Sequence, residues 1–217
     1  MLTQPTVLEG PDAEARLAML GLVPEELVRV AQRARVEAAS CTDFDALGAA
    51  GILLWSRFLR FLREELVVRG WESRRPRGSE LTLNTSLGIK IIVTSGDKWT
   101  GSLQGNPQPK NPKGPTFFEA VVSNQYPLDF GPDFDDPEAY VDPDLLESLT
   151  TWIAVYRLTK SGEFFLEISK PRSFEPNGFL QWDERIIVPV PMSEAPLYVL
   201  SDSDDEGPYR MTVERLG

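Results

Sequence analysis

The chain has 217 residues, of which 41% are hydrophobic, enough to bury a sizeable core without disulfide or metal staples. It contains one cysteine, Cys41, and no histidine, so an intramolecular disulfide, Cys/His zinc sites and nucleophiles that need an imidazole base are excluded. The formal net charge is -11 at pH 7. We expect a soluble, cytoplasmic protein with no membrane partner, because the start lacks a secretory signal and the best helical stretch is charged.

Helical periodicity dominates the first third of the chain. The runs DAEARLAMLG and PEELVRVAQRARVEAAS predict two helices. The strongest pattern lies in residues 44–69, where apolar side chains share one arc of the helix and charged side chains share the other. It predicts one continuous helix over that range, with Thr42 or Asp43 as its N-cap.

After Gly70 the period changes to two, which is typical of strands. The runs ELTLNTS and GIKIIVTSG predict a hairpin with a tight connection at Thr85 to Gly88. Further along, TFFEAVVSNQ predicts a short helix entered through a proline.

A second hairpin is predicted between residues 151–158 and 163–170, with Ser161 and Gly162 as a two-residue turn. The run ERIIVPVP predicts another short strand, whose prolines suit a sheet edge or a strand ending. Helices come first and strands follow, so we predict an α+β fold with N-terminal helices packed on a mainly antiparallel sheet. We expect a single domain over 1–217, with a helical N-terminal layer at 11–69 and a β-rich part at 78–217.

Residues 57–114 form a basic segment, with a net charge of +6 inside an acidic protein. The segment includes most of the loop SGDKWTGSLQGNPQPKNPKGPT, which holds three lysines and one acid and is broken by Gly and Pro. Loops of this length in compact domains tend to be functional or disordered. Arginines with interleaved aromatic residues also suit contacts with phosphates and bases. The predicted ligand-binding residues are Arg69, Arg74, Arg75, Arg77, Lys98, Lys110 and Lys113.

Glu167 is a carboxylate in an otherwise apolar strand. With the two-residue turn it lies opposite Tyr156 and needs a partner, such as the Tyr156 hydroxyl, Ser169 or an arginine. One interpretation is therefore a structural network within the sheet. The other is catalytic, with Glu167 and Asp97 among the ligands of a Mg²⁺ ion. No other cofactor is expected.

The acid-rich segment at 129–144 superficially suggests a calcium loop, but its prolines interrupt the ligand pattern. We expect a solvated loop, with coverage of the basic segment as the alternative.

Three functions from different classes fit these features. The first is a binding protein, acting as an accessory subunit, that engages nucleic acid through the basic segment. The second is a protein-interaction module, such as an adaptor, inhibitor or immunity-like protein, whose acidic surface meets another protein. The third is a Mg²⁺-dependent phosphodiesterase or nuclease-like enzyme.

Overall fold

The computed structural model describes residues 4–76, 79–110, 142–174 and 180–192. Several sequence predictions lie outside these residues. They are the helix in TFFEAVVSNQ, the roles of Arg77 and Lys113, and most of the acid-rich segment.

Four helices and seven strands are found in the described residues. In chain order they are β1 Thr6–Leu8, α1 Gly10–Met19, α2 Pro24–Ala38, α3 Ala49–Val67, β2 Glu72–Arg74, β3 Leu81–Asn84, β4 Ile89–Ser95, α4 Pro143–Ser148, β5 Thr150–Leu158, β6 Phe164–Phe174 and β7 Leu180–Val188. The α+β class is confirmed. No helix of the described residues is long and apolar enough to cross a membrane.

The long third helix is shorter than predicted. It begins at Ala49, because Gly48 adopts the left-handed conformation (φ 81°) and the preceding residues form turns. The predicted start at residue 44 is therefore wrong, whereas the amphipathic pattern holds. Its apolar arc, which includes Phe58, Leu62 and Leu66, is buried.

The strand order in the sheet is β1-β7-β6-β5-β4-β3-β2. Four of the six strand pairs are antiparallel, whereas β1–β7 and β4–β5 are parallel. The predicted hairpin of β3 and β4 and the predicted ladder of β5 with β6 are both present. The β1 strand shows that the N-terminal part also contributes to the sheet.

The register of the β5–β6 hairpin differs from the prediction by one residue. Glu167 lies opposite Val155 and not Tyr156. The connection has three residues, 160–162, and ends at Gly162 with φ 87°. A left-handed glycine at the end of the connection is a feature that three-residue hairpins favour. Since side chains alternate along a strand, the shift moves Glu167 to the other face of the sheet.

The two faces of the sheet have different coverings. Tyr156, Leu166 and Ile186 join the helices α1–α3 in one large core. Ile153, Val155 and Trp182 belong to a smaller cluster on the opposite face. Register shifts near Pro171 accompany a change of phase in β7. Trp182 thus faces the small cluster although Ile186, four residues later, faces the helices.

Candidate interaction surfaces

The loop that follows β4 folds back on itself. Gly96 pairs with Pro109 as an antiparallel bridge, the Asp97 N–H donates to the Gln108 carbonyl at 2.9 Å, and the Lys110 N–H donates to the Ser95 carbonyl at 3.0 Å. Residues 96–110, called the β4 loop below, are therefore an ordered excursion. They lie against the sheet face opposite the helices.

Glycines allow the β4 loop to pack this closely. A Cβ atom at Gly96 would stand 2.5 Å from Val155 Cγ1, and one at Gly101 would stand 3.0 Å from Phe165 Cβ. Gly101 and Gly105 also have φ values of +71° and +82°, in the left-handed region. Gly96 and Gly101 thus serve close packing of the loop against the sheet.

A buried ion pair holds the first half of the β4 loop. Arg185 Nη2 lies 2.6 Å from Glu167 Oε2, and both side chains are 0% exposed. Arg185 also donates to the Ser102 carbonyl at 2.9 Å, while Glu167 accepts from the Gly101 N–H at 2.9 Å and from the Ser169 hydroxyl at 2.8 Å. Every formal charge here is compensated, as buried charges require.

The second half of the loop is held by neutral hydrogen bonds to β7. The Gln108 side chain accepts from the Leu180 N–H at 2.8 Å and donates to the Leu180 carbonyl at 2.9 Å. The Trp182 indole N–H donates to the Pro107 carbonyl at 2.9 Å. Together with the ion pair, these contacts fix the loop along its length.

These contacts favour the structural interpretation of Glu167. Its carboxylate is fully enclosed by Arg185, Ser169 and the loop backbone, so it does not face solvent. The Asp97 carboxylate accepts the Trp99 N–H at 3.0 Å, which shapes the turn. Among the described residues, no group of three or more acidic or Cys side chains is placed to hold a metal ion.

Cys41 is also a poor candidate for a catalytic nucleophile. Partial burial raises the pKa of its thiol, and the Asp45 carboxylate raises it further, which disfavours the reactive thiolate.

The described arginines of the basic segment are engaged within the protein. Arg69 pairs with Glu26 of α2, Arg74 pairs with Glu72, and Arg75 Nε lies 3.3 Å from Glu80. Three arginines on the charged arc of α3 also pair with acids. The pairs are Arg57–Glu37, Arg60–Glu64 and Arg63–Glu80. These pairs leave little uncompensated positive charge on the described helical layer.

The two described lysines of the prediction lie on the β4 loop. The Lys98 Nζ is 5.2 Å from the centroid of the Trp99 ring, and 39% of Trp99 is exposed. Lys110 lies at the end of the loop, beside Ser95. The structure thus brings a lysine and a partly exposed aromatic side chain together on a fixed loop.

Residues 41–52, called the apolar corner below, expose large hydrophobic side chains. Phe44 is fully exposed, and Leu47 and Ile52 are 66% and 68% exposed. The turn that carries Phe44 is ordered by its own hydrogen bonds. Asp45 Oδ2 accepts from the Thr42 N–H at 2.7 Å, and Thr42 Oγ1 accepts from the Phe44 N–H at 3.3 Å. The sequence analysis, which predicted an amphipathic helix from residue 44 onward, did not predict this exposed surface.

Lys90 is a second feature that the sequence analysis missed. It is 1% exposed on β4, and its Nζ donates to the Leu146 carbonyl of α4 at 2.6 Å. Burial lowers the pKa of Lys90 to about 8, although the Glu147 carboxylate opposes the shift. A lysine inside the apolar run IKIIV was the signal available in the sequence.

Comparison of the chain with protein-family models, curated proteins and solved structures finds no match. The functional interpretation therefore rests on the chemistry of the surfaces described above.

Proposed function

We propose that this chain is a protein-interaction module whose apolar corner contacts a partner protein. The observation that carries the proposal is Phe44, whose side chain is fully exposed on an internally hydrogen-bonded turn. Burying a phenylalanine side chain contributes roughly 1.5–3 kcal/mol, which stays available for association here. Phe44, Leu47 and Ile52 are exposed within a short stretch of chain, and exposed apolar surface is typical of protein interfaces.

The electrostatics favour a basic partner. Asp43 and Asp45 flank Phe44, and both are exposed. The whole chain carries a net charge of -11, so a partner with a basic rim would be attracted at long range. Aromatic side chains at the centre of such interfaces commonly contribute more than about 1 kcal/mol each.

The test uses a photo-crosslinking amino acid at position 44 in cells that produce the protein. The crosslinked partner is identified, purified and titrated with the wild type, Phe44→Ser and Ile52→Ser. We expect each substitution to weaken binding about tenfold. Val68→Ser is the matched control, because Val68 is 81% exposed just beyond the other end of α3. Absence of a crosslinked partner, or equal binding by Phe44→Ser, would contradict the proposal.

Nucleic acid is a second candidate ligand, favoured by the pairing of Lys98 with the partly exposed Trp99 on the β4 loop. Stacking of bases on aromatic rings beside basic side chains is typical of proteins that bind single strands. The acidic net charge and the paired arginines of α3 make this the weaker candidate.

A further inference from the structure

A groove of about 470 Å³ lies at the end of the sheet where β7 stops. Its walls are Gly101 of the β4 loop, residues 163–166 at the start of β6, and residues 187–192 at and beyond the end of β7. Apart from Glu163, the described side chains that line it are uncharged. Its size lies within the range of about 300–1,000 Å³ that is common for ligand sites.

Among the described strands, the start of β6 has a partner on one side only. Pairing with β5 extends to Phe164, opposite Leu158, whereas pairing with β7 begins only at Leu166, opposite Val188. Beyond Val188 the chain reads Pro189-Val190-Pro191, and proline has no N–H to continue a ladder. The two strands therefore separate, and the groove lies between them.

Backbone alternation shows which groups face the groove. The Glu163 carbonyl accepts from the Thr159 N–H at 2.9 Å, so the polar backbone groups of Glu163 point toward β5. Those of Phe164 therefore point the opposite way, toward the groove. Val190 would lie opposite Phe164 if the ladder continued, but these two described residues form no backbone hydrogen bond.

One wall of the groove is held by contacts within the protein. The Gly101 N–H is bonded to the buried Glu167, and the Arg157 guanidinium lies 4.1 Å from the centroid of the Phe165 ring. An ordered wall loses little conformational entropy when a ligand binds.

We propose that this groove binds an extended apolar segment of a partner protein, which adds to the edge of β6 at Phe164 and places a lysine or arginine beside Glu163. Strand addition satisfies the Phe164 backbone groups that no other described residue pairs, the apolar walls receive alternate side chains, and the Glu163 carboxylate supplies charge complementarity. The proposal rests on the proposed function in taking the partner to be a protein. The groove is a different surface from the apolar corner, however, so either proposal can fail without the other.

The probe is a fluorescein-labelled peptide of alternating valine and threonine that ends in two lysines. The control probe is the same peptide N-methylated at every amide, which removes the hydrogen-bond donors of both strand edges. By fluorescence anisotropy we expect the wild type to bind the first peptide at least tenfold more tightly than the second. Equal binding of the two peptides, or no binding of the first, would overturn the proposal.

Two variants locate the site. Met192→Glu introduces a charge into the groove wall at a residue that is 64% exposed, and we expect it to weaken binding at least fivefold. The matched control is Met19→Glu, because Met19 is 71% exposed at the end of α1 and does not line the groove. Glu163→Lys should weaken binding of the lysine peptide and strengthen binding of a glutamate-ended version. Equal loss in both methionine variants would contradict the assignment.

Hydrogen exchange at the Phe164 amide tests whether the groove is filled instead by another part of this chain or by a second copy of it. We expect fast exchange in the free full-length chain and protection when the peptide is added. Protection in the free chain that is independent of concentration would show that the chain covers its own groove. Protection that rises with protein concentration would show a second copy there, and either result overturns the partner assignment. If the groove peptide fails while Phe44→Ser still weakens partner binding, the proposed function stands without this site.

Discussion

Arg185 and Glu167 form a fully buried ion pair between neighbouring strands, with 2.6 Å between Arg185 Nη2 and Glu167 Oε2. The same two side chains also hold the β4 loop, through the Ser102 carbonyl and the Gly101 N–H. One interaction therefore joins β6, β7 and the loop that forms a wall of the groove.

Removing one member of this pair should be strongly destabilising. We expect Arg185→Met to lower the free energy of unfolding by about 3–5 kcal/mol, because Glu167 would stay buried without its counter-charge. Guanidinium denaturation measures the change. The control, Arg172→Met, breaks the partly exposed pair with Asp183 and should cost about 1 kcal/mol or less. A comparable loss in both variants would contradict the assigned role.

Glycine positions on the β4 loop and in α3 should respond to alanine in opposite directions. A Cβ atom at Gly96 would collide with the buried Thr100 and with Val155, so Gly96→Ala should cost about 1–3 kcal/mol or more. At Gly51, within α3, a Cβ atom meets nothing within 4 Å. Gly51→Ala should therefore stabilise the protein by roughly 0.5–1 kcal/mol. Thermal unfolding of the two variants checks the sign of each effect, and a stabilising Gly96→Ala would refute the packing described for the loop.

Lys90 should make stability depend on alkaline pH. Below pH 8 its amine is protonated in both states, and burying that charge costs free energy. Between about pH 8 and the ordinary pKa of 10.5, the unfolded chain binds more protons than the folded chain, so the contribution of Lys90 to stability rises with pH. At about 1.4 kcal/mol per pKa unit, the rise is on the order of 2–3 kcal/mol.

The measurement is the difference in unfolding free energy between the wild type and Lys90→Met at pH 7.5 and pH 10. Other groups titrate alike in both proteins, so the difference isolates Lys90. We expect the unfolding free energy of the wild type to increase relative to that of Lys90→Met as pH rises. The exposed Lys160, replaced in the same way, should show little change. A pH-independent difference for Lys90→Met would show that the buried amine has an ordinary pKa.

Charge reversal at Lys98 and Lys110 tests the nucleic-acid candidate. If the β4 loop binds a single strand, the double reversal should weaken binding while folding stays intact, and the wild-type affinity should fall as salt rises, because phosphate contacts release counterions. Fluorescence anisotropy with labelled oligonucleotides at two salt concentrations measures both effects. Trp99→Ala should weaken binding as well, by about 1–3 kcal/mol for one stacked base. No binding by the wild type at low salt would remove this candidate.

The local sequence pattern was sufficient to predict the main helices and the two hairpins, but not the short elements β1, β2 and α4. The 3.6-residue period found the three main helices, because each buries one apolar stripe against the sheet. The period of two, together with turn residues, found the β3–β4 and β5–β6 hairpins. Proline and glycine marked the β4 loop as irregular. Boundaries were less well predicted, since the apolar residues of 44–48 belong to an exposed turn and not to a helix.

The candidate surfaces depended on contacts between distant residues. A single added residue in the β5–β6 turn decided which face of the sheet Glu167 occupies. Its partner, Arg185, comes from another strand 18 residues away, and nothing in the local sequence links the two.

By itself, the sequence determined the α+β class, the main helices and hairpins and the uneven distribution of charge, because these follow from periodicity and composition. Only the tertiary structure decided that the described arginines of the basic segment pair with nearby acids and that the β4 loop is locked to the sheet. Side-chain partners and strand register are set by packing between elements far apart in the chain. Local propensity carries no information about which of several acids an arginine will meet.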